Sequence, residues 1–341
     1  MRSRCLLPLS LGLSLLFAPA ALAQTFTPDK VDADAARKEG SVSWYTSTPV
    51  ALAQQLASKF QEETGIHVQL LRTGGSALLR RIQSEIKAGH TGADVMTMSD
   101  AGAANAMAAQ GLFVAFKPEG FDKVLDEVKD KDGRWIAQRI HVIGMPLRTD
   151  LVKPEDAPKT WSDLKNPKYK GKMVMPDPSF TAIQLVVVSM LSQKLGWDFY
   201  KALRANDTMI VQGHQQVFQA MQTGERVIGA EGADPRTYGK GKPVPNQTMI
   251  YPSEGAFFVC SPTSIIKGTA HLNAAKAFVK FMVSPEAQTM IAKSGIHSSR
   301  TDIAPPPGAP ALPKIKSIPI DYSFVEKNNR ATKDKFSETF Q

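Results

Sequence analysis

Apolar residues in the first third of the chain follow two alternating spacings. Short runs rich in β-branched and aromatic residues occupy positions 41–45, 66–71 and 93–98. Each run is followed by a segment with apolar residues at every third or fourth position, as in Leu52, Leu56 and Phe60. These are the spacings of strands and of amphipathic helices. Three strands alternating with helices predict a doubly wound α/β sheet with parallel strands.

Polar turns lie between each of these strands and the helix that follows it. Thr48 and Ser99 precede two of the helices and are predicted to act as N-caps, while Ser76 lies in the turn that opens another helix. The carboxyl ends of parallel strands meet at one edge of a sheet, where such sheets bind their ligands. Free N–H groups at helix N-termini favour anions. The turns therefore predict an anion site at this edge.

The second half of the chain repeats the order of strand, turn and helix. Further strands are predicted at 171–175, 209–211, 226–230 and 256–266, and further helices at 182–195, around 217–221, at 274–282 and from 284 onward. The β-prone run 135–147 is long enough to cross from one domain to another. We therefore expect a second α/β unit joined to the first by crossing strands.

The N-terminal residues have the composition of a secretory signal peptide. Arg2 and Arg4 precede a short apolar run, and the Ala-Leu-Ala sequence at 21–23 is a typical cleavage site. Proline interrupts the apolar run, which is too short to anchor the chain in a membrane. We interpret residues 1–23 as a signal peptide and expect a soluble chain in a bacterial periplasm.

Composition and charge narrow the class of protein further. The chain has 341 residues, of which 43% are hydrophobic, and this is enough for two domains. Its formal charge is +9, and removing Arg2 and Arg4 with the signal peptide leaves +7. The basic residues are scattered, which favours attraction of small anions over binding of nucleic acid. Cys260 lies in an apolar run and is interpreted as a core residue.

Several distinct short segments, spread over nearly the whole mature chain, together match the pattern of a known family. They are Trp44-Tyr45-Thr46-Ser47, residues 60–65, Arg72-Thr73-Gly74-Gly75, Ala93-Asp94-Val95, residues 159–164, Gly224-Glu225, residues 251–255, residues 275–278 and residues 284–288. In this order they resemble the periplasmic solute-binding proteins of bacterial ABC importers. The group most similar to them comprises ferric-binding and phosphonate- or sugar-phosphate-binding proteins.

The resemblance implies a two-lobed periplasmic binding protein fold of type II. Each lobe would be a mixed, mainly parallel sheet with flanking helices, and the lobes would close over the ligand around a hinge of crossing strands. The first lobe would comprise residues 24–143 and 255–303, and the second lobe residues 144–254 and 304–341.

The ferric members of this family hold their metal with a His, a Glu and two adjacent tyrosines. By the resemblance, these positions fall on Pro49, on Ser99 and close to Asp234. No two tyrosines are adjacent in the sequence, and the histidines other than His214, among them His141, are scattered along it. We therefore expect no metal site of the ferric type and no cofactor.

The positions that hold an anion in the same family match better. By the resemblance, the turn of the second lobe that holds the partner anion corresponds to residues 178–181, and a nearby Asn position corresponds to His214. The predicted ligand-binding residues are Thr46, Ser47, Thr48, Ser76 and Ser99 from the first lobe, and Ser179, Phe180, Thr181, His214 and Asp234 from the second. We expect a small anionic solute there, a phosphonate such as 2-aminoethylphosphonate or a phosphorylated compound such as a sugar phosphate.

Each of these residues also has a structural alternative. The hydroxyl groups are suited to capping helices, and His214 is suited to a hydrogen bond with the backbone. Asp234 is close enough in sequence to pair with Arg236. Arg148, just after the crossing run, is placed either to reach an anion or to form a salt bridge between the lobes.

Other classes of protein stay open at this point. The sequence contains no G-x-S-x-G, H-E-x-x-H or P-loop motif, so no enzymatic activity is expected. The main hypothesis is a monomeric protein that delivers its solute to a permease in the inner membrane. The alternatives are a ferric-iron transport protein and a sensor module whose loaded lobes dock on a membrane receptor.

Overall fold

The computed structural model describes residues 26–237, 239 and 241–341, so the predicted signal peptide lies outside the described residues. The α-helices are α1 (Ala33–Glu39), α2 (Val50–Thr64), α3 (Gly75–Lys87), α4 (Ala101–Ala109), α5 (Ala182–Leu195), α6 (Trp197–Ala205), α7 (His214–Thr223), α8 (Leu272–Met282), α9 (Pro285–Lys293) and α10 (Tyr322–Phe340). The strands are β1 (Ser41–Thr46), β2 (His67–Arg72), β3 (Val95–Thr97), β4 (Phe113–Val114), β5 (Ile136–Arg148), β6 (Met173–Pro176), β7 (Met209–Val211), β8 (Ile228–Gly229), β9 (Gly232–Ala233), β10 (Gln247–Ile250), β11 (Phe257–Ile266) and β12 (His297–Ser298). Short 3-10 helices occur at Phe121–Lys123, Asp126–Val128, Pro154–Asp156, Trp161–Lys165, Pro167–Tyr169, Pro235–Thr237 and Leu312–Lys314.

The first sheet is built as the sequence predicts. β1 pairs in parallel with β2 on one side and with β3 on the other, so that Trp44 lies opposite both Leu70 and Val95. β11 then pairs antiparallel with β3. The four-residue stripe of α2, from Leu52 to Phe60, is fully or almost fully buried because it packs on this sheet. Gly65 ends α2 in the left-handed region, with φ of 74°.

β5 is the crossing strand that joins the two halves of the molecule. Its first part, from Ile136 to Ile143, pairs antiparallel with β11. Its last part pairs with β8, β9 and β10, with Leu147 opposite Ile228. Beyond β8, the strands β6 and β7 continue in parallel. The long β-prone run of the sequence is thus a strand that takes part in both halves of the sheet.

Two large hydrophobic clusters lie on either side of this crossing. In the first, Phe278 contacts Trp44 and Phe60 with ring centroids 5.1 and 5.0 Å apart. In the second, Tyr200 and Phe336 pack edge to face at 6.1 Å. Each cluster excludes water from its own sheet and helices, and this burial is the main favourable contribution to folding. Cys260 is buried in the first cluster, as expected.

The C-terminal helix α10 contacts both halves. It packs against α5 and α6 on one side and against α4 on the other. Tyr322, its first residue, packs against both hydrophobic clusters. Within the part of the chain described here, no helix has both the length and the apolar content needed to cross a bilayer.

The predicted capping roles of two hydroxyl residues are wrong. The N-cap of α2 is Pro49, and the hydroxyl of Thr48 instead accepts a hydrogen bond from Arg139. The N-cap of α4 is Asp100, whose carboxylate accepts from the backbone N–H of Ala103. The hydroxyl of Thr48 is bonded to an arginine from a distant strand, and the residue after Ser99 takes the N-cap position of α4. At α9, by contrast, the cap and the following proline at 284–285 are as predicted.

Candidate functional site

A fully buried guanidinium lies at the carboxyl edge of the first sheet. Arg139 of β5 is 0% exposed, and its Nη1 donates to Thr48 Oγ1 at 2.9 Å and to Gln138 Oε1 at 2.5 Å. Its Nη2 makes a 3.5 Å contact with Ser99 Oγ. Burial and the neighbouring Arg72 lower the pKa of Arg139 to about 9, and no carboxylate among the described residues contributes to offset them. A buried cation without an acidic partner is costly to keep.

A second guanidinium approaches the same point from β2. Arg72 is the last residue of β2, and its Nε donates to the carbonyl oxygen of Thr48 at 3.1 Å. The turn that receives it is held by the side chain of Thr46, whose Oγ1 lies 2.7 Å from Thr48 Oγ1 and accepts from the Thr48 N–H. The predicted hydroxyl groups of this turn therefore serve to orient two arginines.

Two imidazoles complete this group of basic side chains. His141 lies two residues after Arg139 on β5, so both side chains point to the same side of the strand. The Nε of Arg139 donates to His141 Nε2 at 3.1 Å, which assigns the proton of His141 to Nδ1. Burial first, then the charges of Arg139 and His214, lowers the pKa of His141 well below its usual value. We call Arg72, Arg139, His141 and His214 the basic cluster.

His214 comes to the cluster from the second half of the chain. It is the first residue of α7, and it is 7% exposed. Neither its Nδ1 nor its Nε2 has a hydrogen-bond partner among the described residues. Burial lowers the pKa of its ring to about 4, so His214 is neutral at pH 7. A buried polar ring with two unpaired nitrogens is expected to be satisfied by a ligand or by water.

Turns from both halves meet beside this cluster. A Cβ atom placed on Gly75, at the start of α3, would lie 3.6 Å from the Cβ of Ala182 at the start of α5 and 4.0 Å from that of Ser47. A Cβ on Gly74 would lie 3.7 Å from the carbonyl oxygen of Phe180. The structure thus brings the N-termini of α3 and α5 close to each other.

The remaining predicted residues differ in burial and in their hydrogen-bond partners. Ser47 Oγ is buried without a partner in the described part of the chain, while Ser99 Oγ lies 2.7 Å from Ser261 Oγ of β11. Ser76, the second residue of α3, is partly buried. Phe180 is 53% exposed. Thr181 occupies the N-cap position of α5 without a side-chain bond there, and Ser179 donates its N–H to Asp177 Oδ1 at 2.7 Å.

Two charged candidates are occupied by ion pairs. Asp234 Oδ2 lies 2.5 Å from Arg236 Nη2, and both side chains are almost fully buried. Arg148 makes two bonds to the carboxylate of Asp150, at 2.8 and 2.7 Å, and donates to the carbonyl oxygen of Met221. For Asp234 the structural alternative is therefore the arrangement observed, whereas Arg148 pairs with a residue two positions along the chain, and the described structure shows it no salt bridge between the lobes.

Sequence reasoning did not single out the most buried members of the site. Arg139, Gln138 and Ser261 were not among its candidates, and His141 was set aside as one of several scattered histidines. The usable signal was a basic residue followed by a histidine two positions later inside an otherwise apolar strand. The described residues contain no group of three or more His, Cys, Asp or Glu side chains placed to hold a metal ion.

The fold and the cleft are those of two-lobed periplasmic binding proteins. The structure of AfuA from Actinobacillus pleuropneumoniae with fructose-6-phosphate bound superposes with a TM-score of 0.76 at 23% identity, covering 88% of this chain and 98% of that one. Iron-bound HitA from Pseudomonas aeruginosa gives a TM-score of 0.77 at 20% identity, over 88% and 99% of the two chains. The predicted type II fold is confirmed by these likenesses.

The chain belongs to the bacterial extracellular solute-binding proteins, whose family model matches residues 44–297. Among curated relatives, the iron uptake protein A1 of Synechocystis is 26% identical over 294 residues, which is 79% of this chain and 78% of that protein. This family supplies the solute-binding components of bacterial ABC importers, as predicted, and the location is periplasmic.

Proposed function

We propose that the protein captures a small anionic solute in the cleft between its lobes and passes it to a permease of the inner membrane. The solute is a phosphonate, such as 2-aminoethylphosphonate, or a phosphorylated compound. The lobes of this proposal are residues 24–143 with 255–303, and residues 144–254 with 304–341. The observation that carries it is the buried guanidinium of Arg139, which lacks an acidic partner among the described residues.

The energetics of Arg139 favour a ligand-binding role over a structural one. Removing an arginine from water costs several kcal/mol, and an ion pair normally offsets that cost. Here the partners are three neutral oxygens and one imidazole, which are weaker than a carboxylate. A phosphoryl or phosphonate group would supply the missing negative charge and match the planar fork of N–H donors. The desolvation free energy of Arg139, which is unfavourable in the empty protein, is then offset by the charge of the bound solute.

The rest of the basic cluster supports the same class of solute. Arg72, Arg139 and the two imidazoles all present donors, or groups able to become donors, at the carboxyl edge of the first sheet. AfuA, which shares the fold, has been solved with fructose-6-phosphate. A sugar phosphate or a phosphonate combines the required charge with groups that the surrounding hydroxyls can bind.

A ferric ion is the second candidate, and the names of relatives are what favours it. The iron uptake protein A1 of Synechocystis and iron-bound HitA are both similar to this chain. The basic cluster argues against a trivalent cation at the same point, because like charges repel strongly where water is excluded. A large thermal shift with ferric ion alone, and none with any anion, would favour this candidate instead.

We further propose that the protein binds without chemical turnover and acts as a monomer. Incubation of the purified protein with a bound solute should leave that solute unchanged by mass spectrometry. A sensor role would differ by docking on a receptor instead of a permease, and co-purification from detergent-solubilised membranes distinguishes these two partners.

The test combines a ligand screen with a pair of arginine variants. A thermal-shift screen with phosphonates, sugar phosphates, dicarboxylates, polyamines and ferric citrate identifies the class of solute. A solute at ~100 times its dissociation constant stabilises the protein by about 2.7 kcal/mol. We expect Arg139→Met to abolish this stabilisation while leaving the empty protein as stable as before, or more stable, because an unpaired buried charge is removed.

Arg300 offers the matched control. It is 8% exposed, but it makes two bonds to Asp302, at 2.8 and 2.6 Å. We expect Arg300→Met to destabilise the empty protein and to leave the ligand-induced stabilisation intact. If Arg139→Met strongly destabilises the protein and still responds fully to the solute, Arg139 has a structural role and the proposed site is wrong.

A further inference from the structure

The imidazole of His214 is placed to change its protonation state when the cleft fills. We infer that capture of an anionic solute is accompanied by uptake of a proton on His214. This inference rests on the proposed function, because it concerns how the same cleft recognises its solute. It adds a regulation by pH that neither the fold nor the family assigns.

The geometry of the ring is the starting point. His214 is 7% exposed, and both of its nitrogens are unpaired within the described residues. A neutral imidazole has one donor and one acceptor, whereas an imidazolium has two donors. The oxygens of a dianionic phosphoryl group offer acceptors alone. Both nitrogens can therefore pair with the oxygens of such a solute only after the ring has gained a proton.

Burial keeps the ring neutral in the empty cleft. Across the cleft, β5 presents His141 and Arg139, and the pKa of His141 is itself lowered by the proximity of His214. Burial lowers the pKa of His214 to about 4. Within its described range, α7 carries no other charged residue, and Arg148 bonds to the carbonyl of Met221 at the opposite end of the helix.

The acids on the strands that pack against α7 are already engaged. α7 contacts β6, β7, β8 and β9. Asp177, after β6, accepts from the N–H of Ser179 at 2.7 Å, and Glu231, between β8 and β9, accepts from Tyr200 at 2.9 Å. Asp234, after β9, is paired with Arg236 at 2.5 Å. β7 consists of apolar residues. No carboxylate contributes to the pKa of His214, which burial alone lowers, so in the described structure the negative charge that would hold a proton on the ring comes from the solute.

The direction of the pH effect follows from this arrangement. The free ring has a low pKa, and a bound anion raises it, so binding takes up a proton. Affinity then rises as pH falls, by up to about tenfold per pH unit for one proton taken up. The rise ends near the pKa of the free ring, below which both states are protonated.

Isothermal titration calorimetry measures the proton directly. Fructose 6-phosphate and 2-aminoethylphosphonate are titrated at pH 6 in two buffers that differ in their enthalpy of ionisation, and the difference in heat gives the number of protons taken up. The same titrations are made with His214→Gln, which cannot gain a charge but keeps one donor and one acceptor. Because any protonation of the solute is common to both proteins, the difference between them isolates His214.

His297→Gln is the matched control. His297 is 5% exposed and its pKa is lowered to about 4, first by burial and then by Arg236, but it belongs to β12 and lies outside the basic cluster. We expect the wild type and His297→Gln to take up more protons than His214→Gln, by a clear fraction of one proton. We also expect the affinity of His214→Gln to depend less on pH.

Two further observations keep the test decisive. Should His214→Gln fold poorly, the titration of the His214 ring by NMR, in the free and the loaded wild-type protein, replaces it, and its pKa must rise on loading. Binding with equal proton uptake in all three proteins, or an unchanged ring pKa, overturns the inference while the proposed function stands. If neither phosphorylated probe nor phosphonate binds at all, the proposed function fails and this inference fails with it.

Discussion

The buried carboxyl group of Glu231 provides a strong test of the electrostatics of the second half of the chain. Glu231 is 0% exposed, and its backbone adopts a positive φ of 82°. Its Oε1 accepts from Tyr200 at 2.9 Å, and its Oε2 meets the side-chain amide of Gln184. Burial raises its pKa from 4.5 to about 8, and hydrogen bonds from Tyr200 and Gln184 oppose this. The group is therefore protonated at pH 7.

A protonated Glu231 also explains an unpaired atom nearby. The Oε1 of Gln184 has no partner in the described structure, although its Nε2 faces Glu231. Rotating the amide by half a turn would let Gln184 accept the carboxyl proton. The substitution Glu231→Gln would then preserve this pairing with a neutral group at every pH.

The magnitude follows from the interval between the two pKa values. Because the folded-state pKa lies above the unfolded value, the wild type keeps its full stability below pH 4.5 and loses it as pH rises towards 8. At about 1.4 kcal/mol per pH unit, the total loss is at most roughly 5 kcal/mol. We therefore expect Glu231→Gln to match the wild type within about 1 kcal/mol at pH 5 and to exceed its stability by several kcal/mol at pH 8.

Urea denaturation at pH 5, 6, 7 and 8 measures this difference. Glu85→Gln is a control of opposite sign, since hydrogen bonds from Gly92 and Arg81 outweigh burial and lower the pKa of Glu85. That variant should lose stability relative to the wild type at neutral pH and approach it in acid. A Glu231→Gln variant with the same stability difference at pH 5 and pH 8, or one less stable at pH 8, would refute the reasoning.

Three other predictions concern the cleft, a buried ion pair and the thiol. Gly75→Leu should hold the lobes apart, because even a Cβ atom at this position lies 3.6 Å from the Cβ of Ala182. The variant should therefore show less ligand-induced compaction in small-angle scattering than the wild type, whereas Gly75→Ala should compact normally. Equal compaction of the Leu and Ala variants would contradict the contact. Asp234→Asn leaves Arg236 buried without its partner and should cost about 3 kcal/mol in urea denaturation, whereas a loss below 1 kcal/mol would show the pair to be dispensable. Burial raises the pKa of the Cys260 thiol to about 12. The thiol should therefore resist alkylation by iodoacetamide at pH 8 in the native protein and react once the protein is unfolded. Rapid labelling of the native protein would contradict the burial of Cys260.

The elements of the fold could be predicted because their signals are local. The helix predicted at 182–195 matches α5 at both ends, since its apolar run is stopped by Gly196 with a positive φ of 76°. The alternation of strands and helices between residues 41 and 111 likewise needs only neighbours in sequence. The capping role predicted for Thr48 from its neighbours in sequence was wrong, because its hydroxyl accepts a hydrogen bond from a buried arginine of β5 instead.

The centre of the candidate site could not be predicted because its contacts are long-range. A basic residue in a β-prone run is normally placed on the solvent side, yet Arg139 is enclosed once β5 pairs with β11 and the turns at Thr48 and Ser99 close over it. The approach of His141 to His214 likewise depends on how the two halves pack. Only the resemblance to a family, not the spacing of residues, drew attention to His214.

The position of β11 has a consequence for how this protein reaches its native state. β11 comes late in the chain, yet it lies between β3 and β5 in the sheet. A polypeptide that emerges from a translocation channel with its N-terminus first presents two open strand edges until residues 257–266 have followed. Open edges of buried strands invite wrong pairing, and such distant contacts form slowly. Slowing the translocation of this protein should therefore increase its aggregation.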